Sequence, residues 1–326
     1  MAKLSKEQLQ QIAKYLEPRK ALILDPSSSS RPAIRKLMNT LGIKITNLDM
    51  AESFNDAVQK IEAMKPEIIW SEYNLDDKTG LDLFHLQRKH FQNRLAHSFI
   101  LISEKNSLAI AANSAEQDAD GLVLRPITMD SLHTQFIEVI LGKIAPTDYA
   151  KLLDDGKKLF DENKFTEALN FFKEAKTLDK TPSLACYFEA LAHKALKSRS
   201  NAEKALVEGL KHNSQHYKCL AGLYDLRFEN KDYESAYKLG MKLFADFPAN
   251  PKYMPNLVWL SIYHKKFDDI MGFYEVFSTI EPFDQYLANY LSAALFVCGK
   301  HLLQNQNATE ALNSFKKADL ISKSKP

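Results

Sequence analysis

Pro66-Glu67-Ile68-Ile69-Trp70-Ser71-Glu72-Tyr73-Asn74-Leu75-Asp76-Asp77-Lys78-Thr79-Gly80 runs from a proline through an apolar run to a carboxylate, then through polar turn residues to a glycine. An amphipathic helix is predicted over Leu81–Phe91. A short apolar run that ends in a turn and a helix reads as a parallel strand covered on both faces. Open α/β sheets keep their chemistry in the crevice at the C-terminal ends of such strands. The order therefore delivers Glu72 to a crevice.

The same alternation extends in both directions. Ala21–Leu24 is a strand ending at Asp25-Pro26, and the Ser27–Ser30 loop leads into a helix carrying Ile34, Leu37, Met38 and Leu41, closed by Gly42. Strand Ile43–Leu48 and helix Ser53–Met64 come before Glu72. Strand Phe99–Ile102, helix Leu108–Gln117, strand Leu122–Leu124 and helix Ser131–Leu141 follow it. These units imply an α/β fold, a doubly wound five-stranded parallel sheet with right-handed crossovers. Ahead of it, Ser5–Leu16 reads as a short amphipathic helix capped by Ser5, either packed on the flank of the sheet domain or held loosely. The serine run lacks both phosphate-binding glycine fingerprints, so it reads as a capping loop rather than a phosphate cradle.

From Lys20 to Leu141 the chain resembles the receiver domain of response regulators, with a flavodoxin-like (CheY-like) fold. In that family two acids after the first strand and an acceptor aspartate ending the third hold Mg²⁺. A Ser/Thr after the fourth strand and a Lys-Pro after the fifth contact the phosphoryl group. The resemblance puts Asp25 at the first acid, Pro26 at the second, Glu72 at the acceptor, Ser103 at the hydroxyl and Arg125-Pro126 at the Lys-Pro. Leu122 stands where an aromatic switch residue is usual.

These departures bear on phosphoryl transfer, which is mostly positioning and charge neutralisation. Glutamate for aspartate moves the nucleophilic oxygen by ~1–1.5 Å, and a ~1 Å misplacement can cost ~100-fold. Pro26 removes a carboxylate from a set that must satisfy Mg²⁺, which tolerates little distortion. Arg125 is a planar fork suited to carboxylates. The expectation is a Glu72–Arg125 ion pair in the space of the phosphoryl group, hence a pseudo-receiver that is not phosphorylated. Alternatively, Asp25 and Glu72 are plain solvated acids at a crevice.

Beyond Gly142 a short linker is predicted and strands disappear. Similar phrases recur around Ala168, Ala205, Ala236, Ile270 and Ala311, a period near ~34 residues of paired helices. This is similar to the tetratricopeptide repeat (TPR) family, in about five units. Leu152, Gly156, Leu159, Ala168, Phe172 and Ala175 match its pattern in the first unit, and Gly299, Ala311, Phe315 and Ala318 in the fifth. The third unit keeps Ala236 and Pro248. In the second His193 replaces the first-helix glycine, and in the fourth Ile270 replaces the second-helix alanine. Such an all-α solenoid exposes a concave groove. The resemblance places Lys157, Phe160, Tyr187, Lys194, Asp225, Phe228, Trp259, Tyr263, Phe296 and Lys300 on that groove, although packing between repeats claims part of the aromatics. Aromatic plus basic suits an acidic, amphipathic peptide or helix. The lysine/asparagine clamp of co-chaperone members is not matched, since Leu153, Leu191 and Gly222 occupy clamp positions.

The expected domains are 1–18, an N-terminal helix; 19–142, receiver-like; 143–148, a linker; and 149–326, TPR. Residues 1–146 carry 18 basic and 18 acidic residues, and residues 147–326 carry 25 and 23, so neither half has the basic excess that nucleic acid requires. No apolar stretch is long enough to span a membrane, and the start lacks a signal-peptide core. Cys186, Cys219 and Cys298 are widely spaced without a Cys-x-x-Cys, consistent with a reduced, cytoplasmic protein. No His-Glu-x-x-His or Gly-x-Ser-x-Gly motif is present, and His212 and His216 flank a turn. The reading is a non-enzymatic bacterial signalling adaptor with no cofactor. Its partner is a peptide, a helix or a folded protein such as a small GTPase, and the receiver-like domain is a candidate for homodimerisation. The alternative is a phosphorylation-controlled response regulator with TPR output, which needs Mg²⁺.

Overall fold

A computed structural model of the chain describes residues 4–27, 30–75, 78–91, 93–103, 119–247, 251–278 and 284–323. Strands β1 (Ala21–Leu24), β2 (Leu48–Ala51), β3 (Ile68–Glu72), β4 (Ser98–Ser103) and β5 (Gly121–Leu124) form one parallel sheet in the order β2-β1-β3-β4-β5. That is the flavodoxin-like order. Ile23, Trp70, Ile100 and Ile102 pack on one face in the cluster that holds Ile12, Leu16, Ile34, Met38 and Phe136. Leu22, Leu24, Ile69, Phe99 and Leu101 pack on the other with Ala57, Ile61, Leu83 and Phe84. Burial on both faces is why these strands read as unbroken apolar runs.

The helices around the sheet are α1 (Lys6–Leu16), α2 (Ser30–Leu41), α3 (Phe54–Met64), α4 (Gly80–His90) and α5 (Met129–Ile144). α1 is held firmly: Ser5 caps it in a reciprocal capping box with Gln8, and Ile12 and Leu16 are fully buried. Gly42, at φ 122°, lies against it so closely that a β-carbon there would come within 2.9 Å of Ala13 Cα. The helix expected over Leu108–Gln117 lies outside the described residues. The strand expected at Ile43–Leu48 is displaced. Ile43 enters the core, Ile45–Asn47 form a 3₁₀ turn with Ile45 exposed, and the strand runs Leu48–Ala51. At a sheet edge the apolar pattern is weak, and the isoleucines marked the approach rather than the strand.

α5 continues through Ile144, so only Ala145–Thr147 separate it from the next helix, shorter than the linker expected from Lys143. Five helical hairpins follow. They are α6 (Asp148–Asp161) with α7 (Phe165–Leu178), α8 (Ser183–Ala195) with α9 (Arg199–His212), and α10 (Tyr217–Glu229) with α11 (Tyr233–Asp246). α12 (Met254–Tyr263) with α13 (Asp268–Phe277) and α14 (Gln285–Gln304) with α15 (Ala308–Lys323) complete the array. Each hairpin turn contains one non-glycine residue in the left-handed region, at Asn163, Lys197, Lys231, Lys265 and Gln306. Their spacings (163 to 197, 197 to 231, 231 to 265, 265 to 306) are 34, 34, 34 and 41.

That ruler corrects the register of the second unit. The equivalent of Ala168 is Ala202, not Ala205, and the equivalent of Gly156 is Ala190, not His193. Both Ala202 and Ala205 are buried, and residues three apart share a helix face, so composition did not separate them. In the corrected register one packing site recurs between the two helices of each hairpin. It holds Gly156/Phe172, Ala190/Leu206, Tyr224/Gly240, Val258/Tyr274 and Gly299/Phe315. In the first and fifth hairpins a β-carbon on the glycine would lie 2.5 Å from the phenylalanine ring. The third hairpin reverses the arrangement, with the aromatic on the first helix and the glycine on the second. A β-carbon on Gly240 would lie 2.8 Å from the Tyr224 ring. Pro248, expected to end the third unit, lies outside the described residues. Among the described residues no helix is long and apolar enough to cross a membrane.

Candidate functional site

Three segments converge at the C-terminal ends of the strands. Asp25 follows β1 and Ser30 opens α2 just after it, Glu72 ends β3 and Arg125 follows β5. Arg125 Nη2 donates to Glu72 Oε2 at 2.7 Å and to Asp25 Oδ2 at 2.9 Å, while Nη1 donates to Ser30 Oγ at 2.8 Å. The ion pair expected between Glu72 and Arg125 is present, and it has a second carboxylate and a hydroxyl attached. Asp25 is fully buried and also accepts from the Ser27 amide at 2.8 Å. Glu72 is nearly buried, its Oε1 accepting from the Tyr73 amide at 3.0 Å. Ser103 is fully buried and contributes its backbone: its carbonyl accepts from the Arg125 amide at 2.7 Å, which fixes where the guanidinium starts. Pro26 is exposed. Gly80 lets the α4 end close on the crevice, since a β-carbon there would lie 2.6 Å from the Glu72 carbonyl oxygen.

Burial raises the Glu72 carboxyl above its ordinary range, and the Arg125 hydrogen bond and charge offset that only in part. Burial also works against the Arg125 charge, but its bonds to Glu72 and Asp25 outweigh it and raise that pKa. One cation therefore serves two acids in a poorly solvated crevice. The residues do not suit Mg²⁺, which asks for near-octahedral oxygen ligation. Position 26 supplies no side-chain oxygen, and both carboxylates are already committed to a guanidinium. Among the described residues no group of three or more His, Cys, Asp and Glu could hold a metal ion.

The groove residues divide into packed and exposed. Trp259 stacks on Tyr263 with centroids 5.2 Å apart and meets Tyr233 at 4.9 Å and Phe228 at 6.0 Å, so this aromatic group ties the third hairpin to the fourth. Phe160 packs on Phe165 at 5.1 Å, and Phe296 on Phe315 at 5.3 Å. Lys157 lies 4.3 Å from the Phe188 ring centroid, and Lys300 4.9 Å from that of Phe296. Tyr263 and Phe296 stay 57% and 49% exposed. Lys194 pairs with Glu229 of the next hairpin at 2.6 Å. In the 34-residue register Lys157, Leu191, Asp225, Trp259 and Lys300 are equivalent, whereas Tyr187, Tyr263 and Phe296 sit about one turn away along their helices. Tyr187, Lys194 and Asp225 nevertheless meet at a cavity of about 100 Å³ between the second and third hairpins.

The chain joins a receiver-type sheet to a TPR-type helical array. No family model matches it. Among solved structures it is similar to the chemotaxis response regulator CheY4 of Vibrio cholerae, 19% identical over 37% of this chain and 98% of that chain, with a TM-score of 0.33. A response regulator receiver domain protein from Clostridium thermocellum is 16% identical over 38% of this chain and 96% of that chain, with a TM-score of 0.33. MamA (41 to the end) from Desulfovibrio magneticus RS-1 is 17% identical over 54% of this chain and 97% of that chain, with a TM-score of 0.38.

Two parts of these sites escaped the sequence reading. Ser30 was one of four serines in a run, and only its place at the first turn of α2 distinguishes it. Tyr217, Lys218, Lys252 and Tyr253 line the cavity from the start of α10 and from the turn before α12. The corrected register would have drawn attention to that interface.

Proposed function

We propose that this chain is a non-enzymatic adaptor. Its receiver-type domain is a pseudo-receiver held in one state by Arg125, and its helical array binds a partner protein along the concave face. The observation that carries the first half is the guanidinium bonded to Asp25, Glu72 and Ser30. It lies where the family resemblance puts the phosphoryl group and its lysine, and Pro26 leaves the metal set one carboxylate short. Treatment of the full chain with acetyl phosphate and Mg²⁺, followed by intact mass, tests this. No added phosphoryl mass is expected, and a stoichiometric increase located at Glu72 would sink the reading. The revertant carrying Pro26→Asp, Glu72→Asp and Arg125→Lys is the matched positive control.

The second half is supported by the exposed Tyr263, Phe296, Lys194 and Lys300 on the first helices of the hairpins. Cross-linking in a cell extract, wild type against Tyr263→Ser and Lys194→Glu, should change the set of captured proteins. An unchanged set moves binding off the groove. Homodimerisation through α5 and β5 belongs to the same reading, and sedimentation of the isolated full-length chain at increasing concentration tests it.

A further inference from the structure

The cavity between the second and third hairpins has a cause in the repeat. Phe188 on α8 stacks on Phe172 of the preceding hairpin with centroids 5.5 Å apart and closes that interface. Thirty-four residues on, the equivalent position on α10 is Gly222, facing Leu206, the equivalent of Phe172. The side chain that seals the first interface is missing from the second, and the space is open. Its volume of about 100 Å³ is large against the ~10–15 Å³ that one water needs. Gly222 has no backbone reason to be glycine: its φ is not positive, and a mid-helix glycine costs about 1 kcal/mol against alanine. A β-carbon there would press on Leu206 at 3.1 Å, so that side chain must give by a few tenths of an ångström, and would touch Tyr187 at 3.7 Å.

The walls carry a definite charge. Among the described residues, three lysines (Lys194, Lys218 and Lys252) and one acid (Asp225) line the cavity, and none of the four is without a partner of its own. Lys218 is only 6% exposed, and its ammonium lies 5.5 Å from the ring centroids of both Tyr187 and Phe188. A cation held among ring faces in a poorly solvated wall attracts an anion more strongly than one in water. Lys194 sits at the rim in an exposed pair with Glu229, of a kind worth little and readily exchanged.

We propose that this cavity is the specificity pocket of the array. It takes an acidic peptide segment of a partner protein, with one apolar side chain filling the space vacated at Gly222 and neighbouring carboxylates meeting Lys194, Lys218 and Lys252. The inference deepens the adaptor reading and rests on its second half.

The test is selection of a random dodecamer phage library on the immobilised full-length chain, then titration of a fluorescein-labelled selected peptide. The expected consensus is a Leu, Ile or Phe flanked by Asp or Glu. Affinity should fall at least tenfold with Gly222→Phe, which restores the aromatic of the preceding repeat, and with Lys252→Glu on the exposed rim. It should stay within twofold for Lys238→Glu, the same charge change on the outer helix α11, and should weaken steadily with salt. If Gly222→Phe fails to fold, Lys252→Glu against Lys238→Glu still decides the matter. Basic or neutral consensus sequences, no enrichment, or equal losses for the two charge reversals would overturn the pocket. Acidic peptides displaced by Tyr263→Ser but indifferent to Lys252→Glu would overturn it while leaving the adaptor reading intact.

Discussion

The crevice of the sheet domain and the groove of the helical array use charge in opposite ways. In the crevice, residues 25 and 30 of one loop meet residues 72 and 125, so three distant segments bury two carboxylates around one guanidinium. In the array, the charged groove residues Lys157, Lys194, Asp225 and Lys300 stand on separate hairpins, and the Lys194–Glu229 pair stays in contact with water on both sides. A buried, non-local cluster commits the fold to one arrangement, because removing any member strands the others in a poor solvent. Solvated residues on separate hairpins are nearly independent of one another. The proposed fixed state and the proposed adjustable contacts would thus fall in two regions of one chain.

Substitutions can break or sharpen that contrast. The largest expected effect is in the array's interior rather than on its groove. Phe172→Ala removes a fully buried ring that fills the gap left by Gly156 and stacks on Phe188, and should destabilise by about 3–5 kcal/mol in urea unfolding followed by circular dichroism. Arg125→Met comes next. It leaves Asp25 and Glu72 facing each other without their cation, at a cost of about 3 kcal/mol, the lower end for a buried pair because the Arg125 side chain is 22% exposed. A loss below about 1 kcal/mol would show that the cluster is solvated and the contrast false. Gly240→Val pushes side-chain atoms into Tyr224 and Leu257 and should cost about 1–3 kcal/mol. Combining it with Tyr224→Ala should recover part of that cost, since the site tolerates a large residue on either helix but not on both. Lys194→Met in the groove should change stability by less than about 1 kcal/mol, because its pair with Glu229 is exposed on both sides.

The smallest effect is a difference in slope with pH. The folded-state pKa of Glu72 is raised, so its contribution to stability is full at low pH and is lost as pH rises through the folded value. Glu72→Gln, with nothing to ionise, should therefore gain on the wild type as pH rises from about 4.3, the ordinary glutamate value, through that raised pKa. A gain running the other way would mean that Arg125 dominates burial in setting the Glu72 charge.

Much of this was legible in the chain. Unbroken apolar runs ending at Asp25 and Glu72 located the crevice, because strands covered on both faces show no alternation. The Glu72–Arg125 pair followed from the receiver resemblance, which puts a longer acid and a forked base where that family has a shorter acid and a point charge. Ser30 did not follow, since nothing in a serine run says which hydroxyl turns inward. Strand β2 was placed a few residues early because its edge position leaves Asp49 exposed and its pattern mixed. In the array, period and hairpin count were readable, but two buried alanines three apart hid the register of the second unit. With the register wrong by three, Gly222 did not align with Phe188, and the cavity had no signature. The left-handed turn residues, all of them non-glycine, carry the period more faithfully than the small residues do.

The central claim is that Arg125 holds the place a phosphoryl group would take. The most direct measurement is arginine side-chain NMR of the full-length protein labelled with ¹⁵N-arginine, the Arg125 Nε–H signal being assigned by its loss in Arg125→Met. The spectrum is followed during titration with Mg²⁺ and then beryllofluoride. The account predicts a protected Arg125 signal that stays in place throughout, with spectral change appearing only in the triple revertant. A saturable, Mg²⁺-dependent shift or loss of that signal in the wild type would contradict it.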